Sequence, residues 1–238
     1  MKELKGHIWV TGASSGIGKE TAKEFARVGY KVTVSSRRHS VLEIINKELK
    51  KEKLSVNIVP CNIASSSNVD MAVKKIYESG DIDCLINNAG ITSFKTAEEN
   101  SIREIREIIE VNLLGSVYCI KAVLPQMIKR KKGTIINIIS VAAEKVFTRS
   151  SAYAASKSGL LAYTNVLREE VRKYNIKVIN ILPGATNTPM WSDKVLEEYG
   201  DKIMKPENIA RVLVSVYLQG SDYVTEEIIM RPMIGDLK

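Results

Sequence analysis

The sequence predicts a single doubly wound α/β domain, in which helices cover both faces of a parallel, seven-stranded sheet. Short apolar runs rich in β-branched residues alternate with longer segments of helical period along the chain. The strand-like runs are almost continuously apolar, which is typical of parallel strands buried on both faces. No linker rich in proline, glycine or serine interrupts this alternation, so residues 1–238 are expected to form one domain.

The first part of the chain is predicted to form three strand–helix pairs. Each pair begins with a short β-branched run and continues with a segment in which apolar residues recur every three or four positions. Right-handed crossovers through such helices place consecutive strands parallel in one sheet. The predicted strands are 7–11, 31–36 and 56–60, and the predicted helices are 17–28, 41–50 and 67–78.

The second part of the chain continues this pattern, with two departures. Asn112, Gly115 and Pro125 predict a bend or a short break in an unusually long helix. Residues 188–205 are irregular and follow the carboxyl end of the sixth strand, where ligands bind in such sheets, so they are a candidate substrate lid. The predicted strands are 82–86, 134–140, 177–182 and 227–231, and the predicted helices are 97–129, 152–174 and 206–218.

Composition and charge exclude several classes of protein. Hydrophobic residues make up 45% and charged residues 26%, which excludes a disordered chain, a collagen and a disulfide scaffold. The net charge of +8 comes from scattered basic residues, and the one dense run, 129–132, is interpreted as a solvated helix end. Neither an unbroken apolar span nor a signal peptide is found. We therefore expect a cytoplasmic protein without a membrane or nucleic-acid partner.

The cysteines and histidines indicate no metal or hydrolase chemistry. Cys61, Cys84 and Cys119 lie in apolar surroundings and are predicted to be buried, reduced thiols. No CxxC or Cys/His ligand spacing is present, so no metal site is expected. His7 and His39 are not placed to activate a serine, which disfavours a serine hydrolase.

A glycine-rich turn joins the first strand to the first helix. Residues 11–18 read Thr-Gly-Ala-Ser-Ser-Gly-Ile-Gly. Glycines at this junction allow a tight turn and the close approach of a pyrophosphate, while the helix start offers free N–H groups and the positive end of its dipole. The turn therefore predicts a dinucleotide site, with candidate residues Gly12, Ser14, Ser15, Gly16, Ile17 and Gly18.

The residues after the second strand indicate which dinucleotide binds. About 18 residues past Gly18, where an acidic residue would bind the ribose of NAD, the chain has Ser36 followed by Arg37 and Arg38. A small hydroxyl leaves room for a 2′-phosphate, and a guanidinium binds phosphate through two charge-assisted hydrogen bonds. NADP(H) is therefore favoured over NAD(H), with Arg37 as the first candidate for the phosphate contact and Arg38 as the second.

Three polar side chains predict the reaction. Tyr153 and Lys157 form an i, i+4 pair at the start of a helix, so the phenol and the ammonium can share a site. A nearby cation lowers the pKa of a phenol, which suits Tyr153 to proton transfer. Ser140, at the end of the fifth strand, can donate a hydrogen bond to a carbonyl oxygen. With a hydride from NADPH, these groups predict reduction of a ketone or aldehyde, or the reverse.

These motifs, taken in order, resemble the short-chain dehydrogenase/reductase family over about residues 7–231. The resemblance includes TGxxxGxG at 11–18, Asn-Asn-Ala-Gly at 87–90, YxxxK at 153–157 and Pro-Gly-Ala-Thr-Asn-Thr at 183–188. It implies a Rossmann-type fold, oxidoreductase activity on a small carbonyl or alcohol substrate, and assembly as a homodimer or homotetramer.

Several residue roles are implied only by this resemblance. Asn62 and Ile63 stand where the family usually has Asp-Val, so the contact of Asn62 with adenine would be uncharged. Asn112 stands where the family has an asparagine that holds a water between the lysine and solvent; considered alone, it is more often a bend or a structural hydrogen bond. Further cofactor contacts are implied for Asn88, Ala89, Gly90, Tyr153, Lys157, Pro183, Gly184, Thr186 and Thr188.

Two other functions and one residue assignment stay open. A catalytically idle, NADP(H)-binding regulatory protein would share the fold, but its mark would be the loss of Tyr153 or Lys157. A nucleic-acid-binding protein is disfavoured by the scattered charge. Met190 and Trp191, at the start of the irregular segment, are interpreted equally well as the cap of an apolar substrate site or as core packing.

Overall fold

A seven-stranded parallel sheet forms the centre of the computed structural model, which describes residues 5–237. The spatial order of its strands is 3-2-1-4-5-6-7, and every neighbouring pair is parallel. The order reverses between the first and fourth strands, which leaves a crevice at their carboxyl ends. The strands are β1 (His7–Thr11), β2 (Lys31–Ser35), β3 (Asn57–Ile58), β4 (Cys84–Asn87), β5 (Gly133–Ile138), β6 (Ile176–Pro183) and β7 (Glu227–Met230).

Helices cover both faces of this sheet, which confirms the predicted doubly wound fold. Phe25 and Leu42 belong to the core on one face, and Ile120 and Val171 belong to the core on the other. The helices are α1 (Gly16–Arg27), α2 (His39–Lys51), α3 (Ser66–Tyr77), α4 (Ile102–Ile109), α5 (Gly115–Arg130), α6 (Ser151–Val171), α7 (Asp193–Tyr199) and α8 (Pro206–Tyr217). The first core contains side chains of α1, α2 and α8, and the second contains side chains of α3, α5 and α6.

The predicted long helix over 97–129 differs from the structure at its start. It begins only after Ser101, whose side chain caps the first turn of α4, so the prediction of helix from 97 is wrong. Glu110–Leu114 then form a π-helical turn that contains Asn112, and the predicted interruption is confirmed at this point. Pro125 lies inside α5 without ending it.

Further differences from the prediction include those at α7, β3 and α6. The segment 188–205, predicted to be irregular, contains α7, because the Ser192 hydroxyl accepts a hydrogen bond from the N–H of Val195 and caps a helical turn. The strand β3 has only two residues in place of the five predicted. The helix α6 ends at Val171, and the last predicted residues of this helix form a 3₁₀ turn.

The helix that continues from α4 through α5 is long and apolar enough to cross a membrane by length and composition. It spans Ile102–Arg130 and is the one such candidate within residues 5–237. Its Cys119, Ile120 and Val123 side chains are fully buried in the core shared with Trp9 of β1. These contacts make it a core helix of the α/β domain.

A row of buried asparagines crosses the centre of the sheet. Asn87, Asn137 and Asn180 are register partners on β4, β5 and β6. The amide nitrogen of Asn87 donates to the amide oxygen of Asn137 at 2.9 Å, and Asn137 donates in the same way to Asn180 at 3.0 Å. Thr164 of α6 also donates to Asn180, at 3.0 Å. This row links β4, β5 and β6 to one another and, through Thr164, to α6.

We expect Asn137→Leu to lower the free energy of unfolding by about 1–3 kcal/mol, because it removes the acceptor of the buried Asn87 amide. Urea denaturation followed by circular dichroism measures this loss. Thr134→Val on the same strand is the matched control, since the Thr134 hydroxyl makes no hydrogen bond to residues 5–237. A loss no larger than that of the control would contradict a stabilising role for the row.

Candidate active site

One cavity of about 1010 Å³ follows the carboxyl ends of the strands. Its volume lies at the upper end of the range for ligand sites, which suits a dinucleotide together with a small substrate. All residues predicted to bind the cofactor line it, except Gly18. Of the four predicted catalytic residues, Ser140, Tyr153 and Lys157 line it and Asn112 does not. The fold therefore brings nearly all predicted site residues to one place.

The glycine-rich turn has the geometry of a phosphate cradle. Gly12 and Gly16 have φ angles of 67° and 54°, a region that favours glycine. A Cβ atom on Gly12 would lie 2.5 Å from the Cα of Ala89, so the turn packs closely on the loop after β4. Gly18 is also required for close packing, because a Cβ atom added at this position would clash with the side-chain amide nitrogen of Asn88. This role explains why Gly18 is absent from the cavity wall.

The two arginines lie at the end of the cavity nearest β2. The Arg38 guanidinium donates to the Ser14 hydroxyl at 2.9 Å, and the N–H of Arg38 donates to the hydroxyl of Ser36 at 3.1 Å. Arg37 is exposed on the rim and makes no such contact within residues 5–237. Neither guanidinium is paired with a carboxylate in that range, so both charges are free to bind a phosphate. The geometry favours Arg38, the second candidate from the sequence, because it is already anchored beside the turn.

Asn62, Ile63 and Cys61 form the wall next to the arginines. The amide oxygen of Asn62 accepts a hydrogen bond from the N–H of Ala64 at 3.2 Å, so this oxygen already has one partner. Cys61 is a cavity residue that the sequence analysis did not place there. Burial raises the pKa of its thiol to about 11, so the thiol is protonated at neutral pH. All three cysteines are buried and unpaired, as predicted.

The predicted reacting groups meet where β5 ends and α6 begins. Tyr153 and Lys157 lie on the first two turns of α6, and the Lys157 ammonium is 5.8 Å from the centre of the Tyr153 ring. The ammonium donates to the carbonyl of Ile138 at 2.7 Å. The Ser140 oxygen accepts from the N–H of Ala142 at 3.1 Å, and its hydroxyl lies within hydrogen-bond reach of the Tyr153 phenol.

Burial dominates the electrostatics of this cluster. It raises the pKa of the Tyr153 phenol, and a hydrogen bond from Ser140 only partly opposes this effect. Burial also lowers the pKa of the Lys157 ammonium to about 8. In the polypeptide alone burial outweighs any lowering of the Tyr153 pKa by Lys157, and the lowering expected beside a bound, oxidised nicotinamide stays a prediction. The physical reason is that both groups have lost water and that the ammonium directs a hydrogen bond to Ile138.

The comparison with known proteins identifies this arrangement. The family model for the short-chain dehydrogenases matches residues 6–198. The chain belongs to the short-chain dehydrogenase family. Sepiapterin reductase of Chlorobaculum tepidum is 36% identical over 243 residues, and the match covers 99% of both chains. The predicted membership of this oxidoreductase family is confirmed.

Two solved structures of short-chain dehydrogenases show how closely the fold agrees. An alcohol dehydrogenase of the archaeon Thermococcus sibiricus, complexed with 5-hydroxy-NADP, has a TM-score of 0.88 and 28% identity, and the match covers 99% of this chain and 100% of that one. A metagenomic short-chain oxidoreductase in complex with NADP has a TM-score of 0.85 and 27% identity, with 97% and 98% covered.

Asn112 lies behind the cavity of this short-chain dehydrogenase. Its amide oxygen accepts from the N–H of Ile91 at 2.8 Å, and its amide nitrogen donates to the carbonyl of Ile91 and to the hydroxyl of Ser156. A Cβ on Gly90 would lie 3.4 Å from the Asn112 oxygen and 3.6 Å from the Lys157 nitrogen, so both groups approach the same point. The structural hydrogen bond is therefore present, and the water relay through Asn112 stays a prediction.

The Pro-Gly-Ala-Thr-Asn-Thr motif continues from β6 along the cavity wall. The N–H of Gly184 donates to the carbonyl of Met230 at 2.7 Å, and the Thr186 hydroxyl donates to the carbonyl of Gly184 at 3.0 Å. A Cβ on Gly16 would lie 2.9 Å from the Thr188 methyl carbon, so Thr188 stands beside the phosphate cradle. The start of the motif is therefore bonded to Met230 of β7, and its end lies beside the glycine-rich turn.

Most of the apolar side chains in the cavity wall were not predicted from the sequence. Phe94, from the loop after β4, stacks on Trp191, from the segment after β6. Phe147 and Arg149 also line the cavity there. The one signal for Phe94 was a large aromatic residue in an otherwise polar loop close behind the Asn-Asn-Ala-Gly motif. The stack with Phe94 places Trp191 in the cavity wall, and its role as the cap of a substrate site stays a prediction.

Proposed function

We propose that this chain is an NADP(H)-dependent oxidoreductase that reduces a ketone or aldehyde to an alcohol, or catalyses the reverse reaction. The observation that carries the proposal is one cavity with Ser140, Tyr153 and Lys157 at one end and two arginines without carboxylate partners at the other. Related structures in complex with NADP or 5-hydroxy-NADP support the choice of cofactor.

The residues present fit such a cofactor. Gly12 and Gly16 line the cavity without a side chain, which leaves their backbone open to the close approach of a pyrophosphate. Arg37 and Arg38 would hold the 2′-phosphate, beside the small hydroxyl of Ser36. When bound, NADPH supplies the hydride.

The side chains of this protein would handle the proton and the charge. Tyr153 donates its phenolic proton to the carbonyl oxygen of the substrate, and Ser140 donates a hydrogen bond to the same oxygen. Proton loss leaves a phenolate, which the Lys157 ammonium stabilises electrostatically. In alcohol oxidation Tyr153 accepts the proton instead. A panel of ketones, 3-oxoacyl thioesters, sugars and hydroxy acids tests the proposal, with oxidation or reduction read from the absorbance of reduced nicotinamide; no turnover across the panel would contradict it.

We expect Arg38→Ala to raise the KM for NADPH by about 10–100-fold, because it removes charge-assisted hydrogen bonds to the 2′-phosphate. The KM for NADH should change by less than about threefold. Arg37→Ala should act in the same direction with a smaller effect, since Arg37 has no anchor in the described chain. Arg103→Ala, on the exposed surface of α4, is the control. Equal effects on both cofactors would remove the case for phosphate recognition.

A further inference from the structure

An aromatic pair forms part of the wall of the cavity that contains the reacting groups. The rings of Phe94 and Trp191 are stacked, with centroids 4.9 Å apart and an angle of 14° between the planes. Both residues line the cavity that also contains Ser140 and Tyr153. The pair joins two segments that are distant in sequence, the loop after β4 and the segment after β6.

The two rings are held very differently. The Trp191 indole N–H donates to the carbonyl of Thr186 at 3.1 Å, and the main-chain N–H of Trp191 donates to the carbonyl of Thr188 at 3.2 Å. The indole is therefore fixed to the motif that follows β6. The Phe94 ring has no polar anchor and the residue is 42% exposed.

The loop that carries Phe94 is held on both sides of this residue, since the Ser93 hydroxyl donates to the Asn100 amide oxygen and the Lys95 ammonium pairs with Glu104. The carbonyl of Phe94 accepts a hydrogen bond from the Arg149 guanidinium at 3.1 Å, and Arg149 also pairs with Glu99 at 3.2 Å on the surface. An exposed ion pair of this kind stabilises a loop only weakly. The Trp191 indole is held by a hydrogen bond, whereas the Phe94 side chain can leave the indole by a change of rotamer without breaking a hydrogen bond of its ring.

Apolar side chains line the cavity together with the pair, interspersed with polar ones such as Arg149 and Ser192. Phe147, Met190, Val195 and Leu237 line the cavity together with the stacked rings. Apolar side chains of this kind suit an apolar ligand, while the polar groups at Ser140 and Tyr153 orient a carbonyl. A flat aromatic ring gains additional free energy from stacking on an indole, which a saturated ring of equal size does not.

We propose that the indole face of Trp191 binds a flat aromatic ring of the substrate and that Phe94 covers this face until the substrate displaces it. The inference rests on the proposed carbonyl chemistry and adds a substrate class, namely ketones or aldehydes whose carbonyl is attached to an aromatic ring. Trp191 is then the specificity-determining residue and Phe94 the displaceable cover.

The kinetic test compares acetophenone with cyclohexyl methyl ketone, which have rings of similar size but different shape. The measured quantity is how the ratio of their kcat/KM values changes between variants, because the two ketones differ in intrinsic reactivity. Trp191→Ala should reduce the preference for acetophenone by about 3–10-fold, and Trp191→Phe should retain most of it. Tyr223→Ala, at an exposed aromatic residue outside the cavity, is the control and should leave the ratio unchanged. A ratio unaffected by Trp191→Ala would overturn the proposal.

Phe94→Ala separates a cover from a permanent part of the binding wall. If Phe94 competes with the substrate for the indole, its removal should lower the KM for acetophenone by about 2–5-fold. A KM that rises would show that Phe94 binds the substrate itself, which contradicts its role as a cover.

Binding can also be measured without turnover, by tryptophan fluorescence. The chain has two tryptophans, and Trp9 is fully buried in β1, away from the cavity. Acetophenone should quench the wild-type emission saturably, whereas Trp191→Phe, which keeps only Trp9, should show no saturable quenching. If acetophenone quenches the wild type saturably but not Trp191→Phe, and neither the wild type nor any variant reduces either ketone, the indole site stands and the proposed reductase function fails. If both ketones are reduced but saturable quenching is absent, the reductase function stands and the indole site fails.

Discussion

Replacing Tyr153 with phenylalanine is expected to lower kcat by about 10²–10⁴-fold while the Kd for NADPH changes by less than about twofold. The substitution removes the proton donor, and general acid–base catalysis contributes an effect of this size. The ring itself remains, so packing around Lys157 and the cavity wall is retained. Steady-state kinetics with any accepted carbonyl substrate, together with titration of NADPH fluorescence, measures both quantities.

Tyr163→Phe provides the matched control, because Tyr163 lies on the same helix but outside the cavity. Its kcat should stay within about twofold of the wild type. Normal turnover by Tyr153→Phe would show that another group transfers the proton. A large loss of NADPH affinity in that variant would show instead that the phenol serves mainly to bind the cofactor.

Replacing Lys157 with methionine is expected to have two opposite effects. The loss of the ammonium should lower kcat by about 10²–10³-fold, because nothing then stabilises a phenolate at Tyr153. The same change should raise the free energy of unfolding of the cofactor-free protein at pH 7 by about 2 kcal/mol. Burial lowers the pKa of Lys157 from 10.5 to about 8, which corresponds to a cost of about 3 kcal/mol for keeping the ammonium charged. The hydrogen bond to Ile138 that is lost offsets about 1 kcal/mol of the gain.

The stability gain should depend on pH in a defined direction. Below pH 8 the lysine is charged in both the folded and the unfolded chain, so the full cost of burying it is present. Between pH 8 and 10.5 the folded chain loses this proton while the unfolded chain keeps it, and the stability of the wild type rises relative to the variant. The advantage of Lys157→Met should therefore shrink over this range in urea denaturation.

Lys121→Met, on the exposed side of α5, is the control for a general effect of removing a positive charge. It should show no such change between pH 8 and 10.5. A Lys157→Met variant whose stability relative to the wild type is the same at pH 7 and pH 10 would contradict the cost of burial.

Features that depend on local sequence were predictable. The spacing of Tyr153 and Lys157 places them on one helix face whatever surrounds them, and the glycines at 12 and 16 stand where only a positive φ continues the chain. The alternation of buried strands and helices determines a parallel sheet, and a parallel sheet places its ligand site at the carboxyl ends of the strands. Each of these features depends on a few neighbouring residues or on a pattern that repeats along the chain, and both can be recognised in the sequence.

Features that depend on which neighbours a side chain meets were not predictable. Arg37 and Arg38 are adjacent and chemically identical, and only the position of Ser14 in space distinguishes them. The direction of the Tyr153 pKa shift depends on how much water the fold removes from the phenol. The spacing of residues in the sequence does not determine this loss of water.

The sequence by itself determined the fold class, the family and the identity of the reacting groups, because periodicity and motif spacing are properties of the chain. Only the tertiary structure decided which arginine is anchored, how the buried phenol and ammonium are poised, and that Phe94 lies on Trp191. Contacts between distant segments and the loss of solvent arise only when the chain packs, and they set the shape and the electrostatics that select a substrate.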